Sequence, residues 1–263
     1  MAAEPGKIDP MHQFQVQTFF DLFQIGGQKI AFTNSAAYMI AAGVLLFLFM
    51  AFANKRALVP GRWQALAEGF TGFVHSMLRA NIGEAGKAYL PYVFSLFMFI
   101  LFANVIGLLP LGLIGLHPFT VTSHFTVTGV LALMSFSIVL IVGFAKHGLR
   151  FFSLFAPKGT PIPVLLLVAP IEFISFMVRP FSLALRLFVA MTAGHILLKV
   201  LAGFVINATN AGAGLGLAVG IPSFALMVGV SALELLVAGV QAYVFALLTS
   251  LYINDAEHLH DHH

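Results

Sequence analysis

Charge-free stretches organise this chain. Between Ala88 and Ala145 there is no Asp, Glu, Lys or Arg, and between Val200 and Asn254 only Glu234 is charged. A helix that crosses the hydrocarbon core of a membrane needs about 20 mainly apolar residues. Five runs meet that demand: roughly Ala31 to Ala53, Leu90 to Leu109, Phe125 to Ala145, Ile162 to Ile206 and Pro222 to Ile253. Trp63 to Ala80 has a different pattern. Trp63, Leu66, Phe70, Phe73, Val74, Met77 and Leu78 follow the i, i+3, i+4, i+7 rhythm of a helix face. Gln64, Glu68, Thr71, His75 and Arg79 take the other side. This predicts an amphipathic helix lying in the membrane interface; a helix packed on another protein domain is the alternative.

The last two runs are too long for a simple crossing. At about 1.5 Å per residue, Ile162 to Ile206 extends roughly 68 Å and Pro222 to Ile253 roughly 48 Å, against a core of about 30 Å. Either these helices tilt strongly, or Pro170 and Pro180 break the first of them. The glycine-rich stretch Asn207 to Gly220 then closes a long helical hairpin. Basic residues set the orientation. Lys55, Arg56 and Arg62 follow the first run and Lys146, Arg150 and Lys158 the third, whereas Leu111 to Thr126 and Asn207 to Pro222 hold no Lys or Arg. With positive charge retained on the cytoplasmic side, the N-terminus is expected outside and the C-terminus inside. The predicted fold is an all-α integral membrane protein. It has a polar outer tail over residues 1–30, one membrane domain over 31–254 and an acidic, histidine-rich cytoplasmic tail over 255–263. The first 30 residues lack the basic, apolar and small-residue order of a signal peptide.

Composition removes most other classes. The chain of 263 residues is 60% hydrophobic and 9% charged, with a mean hydropathy of +0.97 and a net charge of +3. Soluble domains are about 45–50% apolar and about 25% charged, so a soluble enzyme and a disordered chain are excluded. No basic patch marks a nucleic-acid surface. The absence of cysteine excludes disulfides, thiolate metal sites and a cysteine nucleophile. Neither an HExxH pair nor a Gly-x-Ser-x-Gly elbow supports an intramembrane hydrolase. The tail Glu257-His258-Leu259-His260-Asp261-His262-His263 is read as solvated, with no metal site and no cofactor expected, and His117 and His124 as ordinary loop residues.

The long pair of runs contains Glu172, Arg179, Arg186, His195, Lys199 and Glu234. Ionisable groups at membrane depth are costly and point to an ion or proton path. Glu172, Arg179 and Arg186 fall at successive intervals of seven, which on a continuous helix returns each to within about 20° of the last. Ser175 and Ser182 lie on a neighbouring stripe. Glu234 and Gln241 are also seven apart. Arg179 and Lys199 are expected to snorkel from helix ends. Glu172 fits either a functional carboxylate or a structural ion pair. Arg186 sits within Leu183-Ala184-Leu185-Arg186-Leu187-Phe188-Val189, where snorkelling is hard, and is read as functional. A guanidinium stays protonated. It can hold a carboxylate ionised and block proton leakage, but it cannot relay a proton by releasing one. His195 stands 12 residues before Asn207 and Glu234 stands 12 after Pro222, which a hairpin would bring to similar depth. Such a pair titrates as a unit. It is read as part of a proton route, with a structural ion pair as the alternative.

These residues resemble subunit a of the F-type ATP synthases. The resemblance is carried by Pro170-Ile171-Glu172, Arg179-Pro180-Phe181-Ser182-Leu183-Ala184-Leu185-Arg186-Leu187-Phe188 and Met191-Thr192-Ala193-Gly194-His195. Weaker pieces are Gln241-Ala242-Tyr243-Val244-Phe245, Leu251-Tyr252, Asn104 within Phe102 to Pro110, and Asp9-Pro10-Met11-His12-Gln13-Phe14. The resemblance implies that Arg186 is the family's essential arginine facing the c-ring carboxylate. It implies that Glu172 belongs to the cytoplasmic half-channel and that Asn104, His195, Glu234 and Gln241 line or border the opposite one. Asp255 resembles an aspartate near the cytoplasmic exit of mitochondrial-type members. His195 and Glu234 are exchanged relative to many bacterial members, and Ala190 stands where many have Asn. The implied role is a non-catalytic stator subunit in a bacterial inner membrane. Its implied partners are the c-ring, the peripheral-stalk b subunits, the rest of the complex and lipid. An autonomous proton-coupled secondary transporter is the alternative, though no internal repeat of the kind common in that class is visible.

Overall fold

The computed structural model describes residues 16–25, 28–53, 60–109, 119–155, 162–210, 214 and 216–258. Outside them lie the Asp9 to Phe14 motif, Lys55, Arg56, Lys158, His117 and the histidines beyond His258. Among the described residues six α-helices follow one another: α1 (Asn34–Ala53), α2 (Arg62–Ile82), α3 (Leu90–Leu108), α4 (Phe125–His147), α5 (Ile162–Asn210) and α6 (Ile221–Glu257). Short 3-10 segments occupy Gly83–Tyr89, Val121–Ser123 and Gly148–Phe155, and a π turn, Gly216–Gly220, leads into α6. Among the described residues five helical stretches are long and apolar enough to cross a membrane, one of them the run Arg62–Leu108. Much of their surface is apolar: Leu166, Phe47, Leu236 and Ile141 are all largely exposed. Exposed apolar area on this scale is unusual in soluble proteins and suits contact with lipid.

Two features depart from the sequence reading. The polar N-terminal tail contains an antiparallel hairpin, β1 (Thr18–Ile25) and β2 (Gln28–Thr33), in register from Thr18 opposite Thr33 to Ile25 opposite Gln28. Thr33 then caps α1 by accepting a hydrogen bond from the Ala36 N–H at 3.4 Å, as Ser and Thr commonly do at helix starts. The second concerns α5. Pro170 and Pro180 lie inside it without breaking it. Prolines are tolerated in membrane helices where neighbouring groups or local adjustments satisfy the freed carbonyls. The unbroken helix is about 74 Å long at about 1.5 Å per residue.

The chain forms two compact units. The first comprises Met1–Leu46, Phe99–His124 and Phe188–Gln241, the second Phe47–Met98, Phe125–Leu187 and Ala242–His263. In the first, Ala42 packs on Ala103 and Ile106, flanked by Tyr38 and Phe99. In the second, Phe144, Phe151, Phe155 and Phe176 form a nest of rings whose centroids lie 4.9–6.5 Å apart. Phe151 is fully buried at its centre.

Candidate functional site

The first unit holds a polar cluster in an otherwise apolar interior. Asn104 on α3, Thr120, Thr122 and Ser123 in the loop before α4, His195 on α5 and Glu234 on α6 are all buried. Asn104 donates through Nδ2 to the Ala238 carbonyl at 3.1 Å and accepts at Oδ1 from the Thr122 hydroxyl at 2.6 Å. The imidazole of His195 has a partner on each side. Its Nε2 lies 2.5 Å from Thr120 Oγ1, and its Nδ1 lies 3.3 Å from Glu234 Oε1. That second contact is close enough for electrostatic pairing but off the angle of a hydrogen bond, so neither oxygen of the Glu234 carboxylate accepts a hydrogen bond from a described residue. Burying a carboxylate without donors is expensive, which gives the contact with His195 weight. Gly194 makes room for it: a Cβ there would stand 2.7 Å from Glu234 Oε1 and 2.9 Å from its Cδ.

Among the residues singled out from sequence, His195 and Glu234 therefore meet, and Asn104 reaches α6 one turn further on, at the Ala238 carbonyl. Gln241 lies two turns beyond Glu234 on α6 and is half-buried. Sequence reading missed Thr120, Thr122 and Gly194. The loop hydroxyls lie in Phe119-Thr120-Val121-Thr122-Ser123, whose Thr/Ser content reads as an ordinary solvated turn.

The second unit holds the other candidates. Glu172 and Arg186 are exposed on α5 and Arg179 is half-buried between them. Because α5 is continuous, the seven-residue spacing places the three on one flank. Arg179 does not simply snorkel. Its Nη1 donates to Asp255 Oδ2 on α6 at 2.7 Å, and its guanidinium lies 5.5 Å from the Phe176 ring centre and 5.0 Å from that of Tyr252. Stacked arginines gain cation–π attraction beyond the ion pair. Arg186 lies within electrostatic range of Tyr252. It forms no ion pair with a described residue. α6 continues past Asp255 to Glu257, a buried carboxylate that accepts from Tyr89 Oη at 2.7 Å and pairs with Lys146, while the Glu257 carbonyl lies 3.2 Å from His147 Nε2. The start of the tail is thus a tied-down helix end.

Chemically, the first cluster offers a titratable pair with hydroxyl and amide groups able to hold water. The second offers a permanent cation, Arg186, that pairs with no carboxylate among the described residues. A family model described as ATP synthase A chain matches residues 36–254. The chain is 68% identical over 261 residues to a protein named ATP synthase subunit a in Sphingopyxis alaskensis, covering 99% of this chain and 100% of that one. Proteins of the same name are 67% identical over 262 residues in Erythrobacter litoralis (99% and 100% covered) and 55% identical over 266 residues in Zymomonas mobilis (98% and 100%).

Proposed function

The chain belongs to the family of subunit a of the F-type ATP synthases, a multi-pass component of that complex's membrane sector, and from this membership we propose that it is the stator which leads protons to and from the c-ring through two offset half-channels separated by Arg186. Protons enter from the outer side past Asn104, His195, Glu234 and Gln241 and reach a carboxylate on the ring. After the ring turns they leave on the cytoplasmic side, where Glu172 and Asp255 line the exit. The subunit makes and breaks no covalent bond other than those to the proton. Its N-terminus faces the periplasm and its C-terminus the cytoplasm of a bacterial inner membrane, with the peripheral-stalk b subunits holding it against the torque of the ring.

One observation supports this reading above the others. Arg186 is exposed on a lipid-length apolar helix and forms no ion pair with a described residue. A lone cation costs several kcal/mol at such depth unless neutralised, so a counter-charge supplied by another chain is the economical answer. A carboxylate carried past it by the ring meets that need, and the guanidinium, which never releases its proton, bars a direct leak between the two routes. The test is ATP-driven proton pumping in inverted vesicles. Arg186→Ala is expected to abolish pumping while the complex assembles. Arg186→Lys is expected to fail substantially as well, since lysine lacks the planar fork and loses its proton when buried. Normal pumping by an assembled Arg186→Ala complex refutes the proposal.

A further inference from the structure

We propose that Thr120 is a positioning residue for proton passage, orienting the His195 imidazole toward Glu234 and keeping its far nitrogen partnered in both protonation states. This deepens the proposed function and rests on His195 and Glu234 handling protons. The imidazole is gripped from two sides, by Thr120 Oγ1 at 2.5 Å from Nε2 and by Glu234 Oε1 at 3.3 Å from Nδ1. Thr120 and His195 are both buried. For the neutral ring to present N–H to the carboxylate, its hydrogen must sit on Nδ1. Nε2 is then bare and needs a donor. When the ring is protonated, both nitrogens carry hydrogen and Nε2 needs an acceptor. A hydroxyl meets both needs by rotating, being one donor and two acceptor sites on a single atom. A backbone N–H could serve only the first state and a carbonyl only the second.

Thr120 is held so that it can do this. Its backbone is extended, with φ −101° and ψ 115°, just before the 3-10 turn. Its carbonyl accepts from the Ser123 N–H at 3.2 Å and from Ser123 Oγ at 2.6 Å. The Ser123 carbonyl in turn accepts from Thr192 Oγ1 on α5 at 3.3 Å, one turn before His195. The backbone of α3 also cooperates. Any Cβ on Gly107 would collide with Oγ1, Cβ and Cγ2 of Thr120, so a glycine at that position lets the hydroxyl reach the ring. The charged neighbours of His195 are Glu234 from α6 and Lys199, one turn along α5. At Nε2 the hydrogen-bond partner of the ring among the described residues is the Thr120 hydroxyl.

The experiment compares Thr120→Val, which keeps shape and loses the hydroxyl, with Thr120→Ser, which keeps the hydroxyl and loses a methyl. Both are made in the whole complex beside Arg186→Ala, and the readouts are ATP-driven pumping, ATP hydrolysis and the amount of assembled enzyme. Valine is expected to slow pumping about tenfold at normal assembly, and serine to stay within about twofold of the parent, as loss of one buried hydrogen bond to a chargeable group implies. A merely structural threonine gives the reverse order. Equal pumping by the valine variant, serine as poor as valine, or failure of the valine complex to assemble each overturns the proposal. If valine pumps normally while Arg186→Ala is inactive, the positioning role falls and the stator reading stands. An active Arg186→Ala complex removes the stator reading itself.

Discussion

Exchanging the two titratable side chains of the buried pair is a demanding test of the proton route proposed through His195 and Glu234. Glu234 is 2% exposed, and its nearest partner of opposite potential is His195 Nδ1 at 3.3 Å. His195→Glu places two carboxylates in that space. At about 4 Å and an effective dielectric constant near 20, like charges repel by about 4 kcal/mol. Each 1.36 kcal/mol is a factor of ten in rate, so this variant should pump about a thousandfold more slowly or acquire a proton it cannot pass on. Glu234→His sets two imidazoles together without full repulsion but loses the pairing, a cost of about 1–3 kcal/mol, or about 5- to 160-fold in rate. The double exchange restores one group of each kind. It also places the bulkier ring against Gly194, where no Cβ obstructs it. Initial rates of ATP-driven acidification of inverted vesicles, normalised to assembled complex, should therefore recover most of the loss in the double variant. A double variant no better than the worse single one, with all three assembled, refutes the pairing as the working unit of the route.

Two further outcomes are expected. Glu257→Ala and Tyr89→Phe should be coupled, the double variant losing about 1 kcal/mol less than the sum of their separate effects on unfolding in detergent, because each alone removes the 2.7 Å bond that ties the end of α6 to the segment before α3; additive effects refute that tie. Glu172→Gln should slow proton release more than it harms assembly, and cysteines introduced beside Glu172 into this cysteine-free chain should react with a polar thiol reagent from the cytoplasmic side. Labelling from the outer side alone overturns the inner assignment.

The helices were legible because lipid imposes length and apolarity together. Phe125 to Ala145 was read as a span and α4 runs from Phe125 to His147; Ile162 to Ile206 was read as one long run and α5 extends it to Asn210. Helix pairing was legible only where chain symmetry announced it, as for His195 and Glu234. Arg179 was read as snorkelling because its partner, Asp255, is 76 residues away and no local signal joins them. The strand pair Thr18–Ile25 and Gln28–Thr33 is not among the sequence expectations, although in the sequence Gly26-Gly27 sits between two segments rich in Phe, Ile and Thr, a known hairpin signature. Net polarity masked the alternation. Glu257 was read as solvated because charge at a terminus suggests a free tail. Yet Ser250, Ile253 and Ala256 continue the buried stripe of α6 up to it. The Thr120 hydroxyl carried no pattern at all, since its function comes from where Gly107 lets it sit.

The polar cluster also has a history in time. Asn104 and the Ala238 carbonyl it reaches are 134 residues apart, and Thr120 and His195 are 75 apart, whereas Thr122 follows Asn104 by 18. At synthesis rates of about 5–20 residues per second, the Asn104 amide waits about 7–27 s for its α6 partner and about 1–4 s for Thr122. In the interval it lies in a nascent, half-inserted chain, where an unsatisfied amide is costly. Thr122 is thus a first, local companion that occupies the Asn104 carbonyl oxygen while the amide hydrogens stay open for a helix not yet made. The cluster closes only when α6 has been made. A chain stopped short of α6 leaves Asn104 half-satisfied and His195 without its carboxylate.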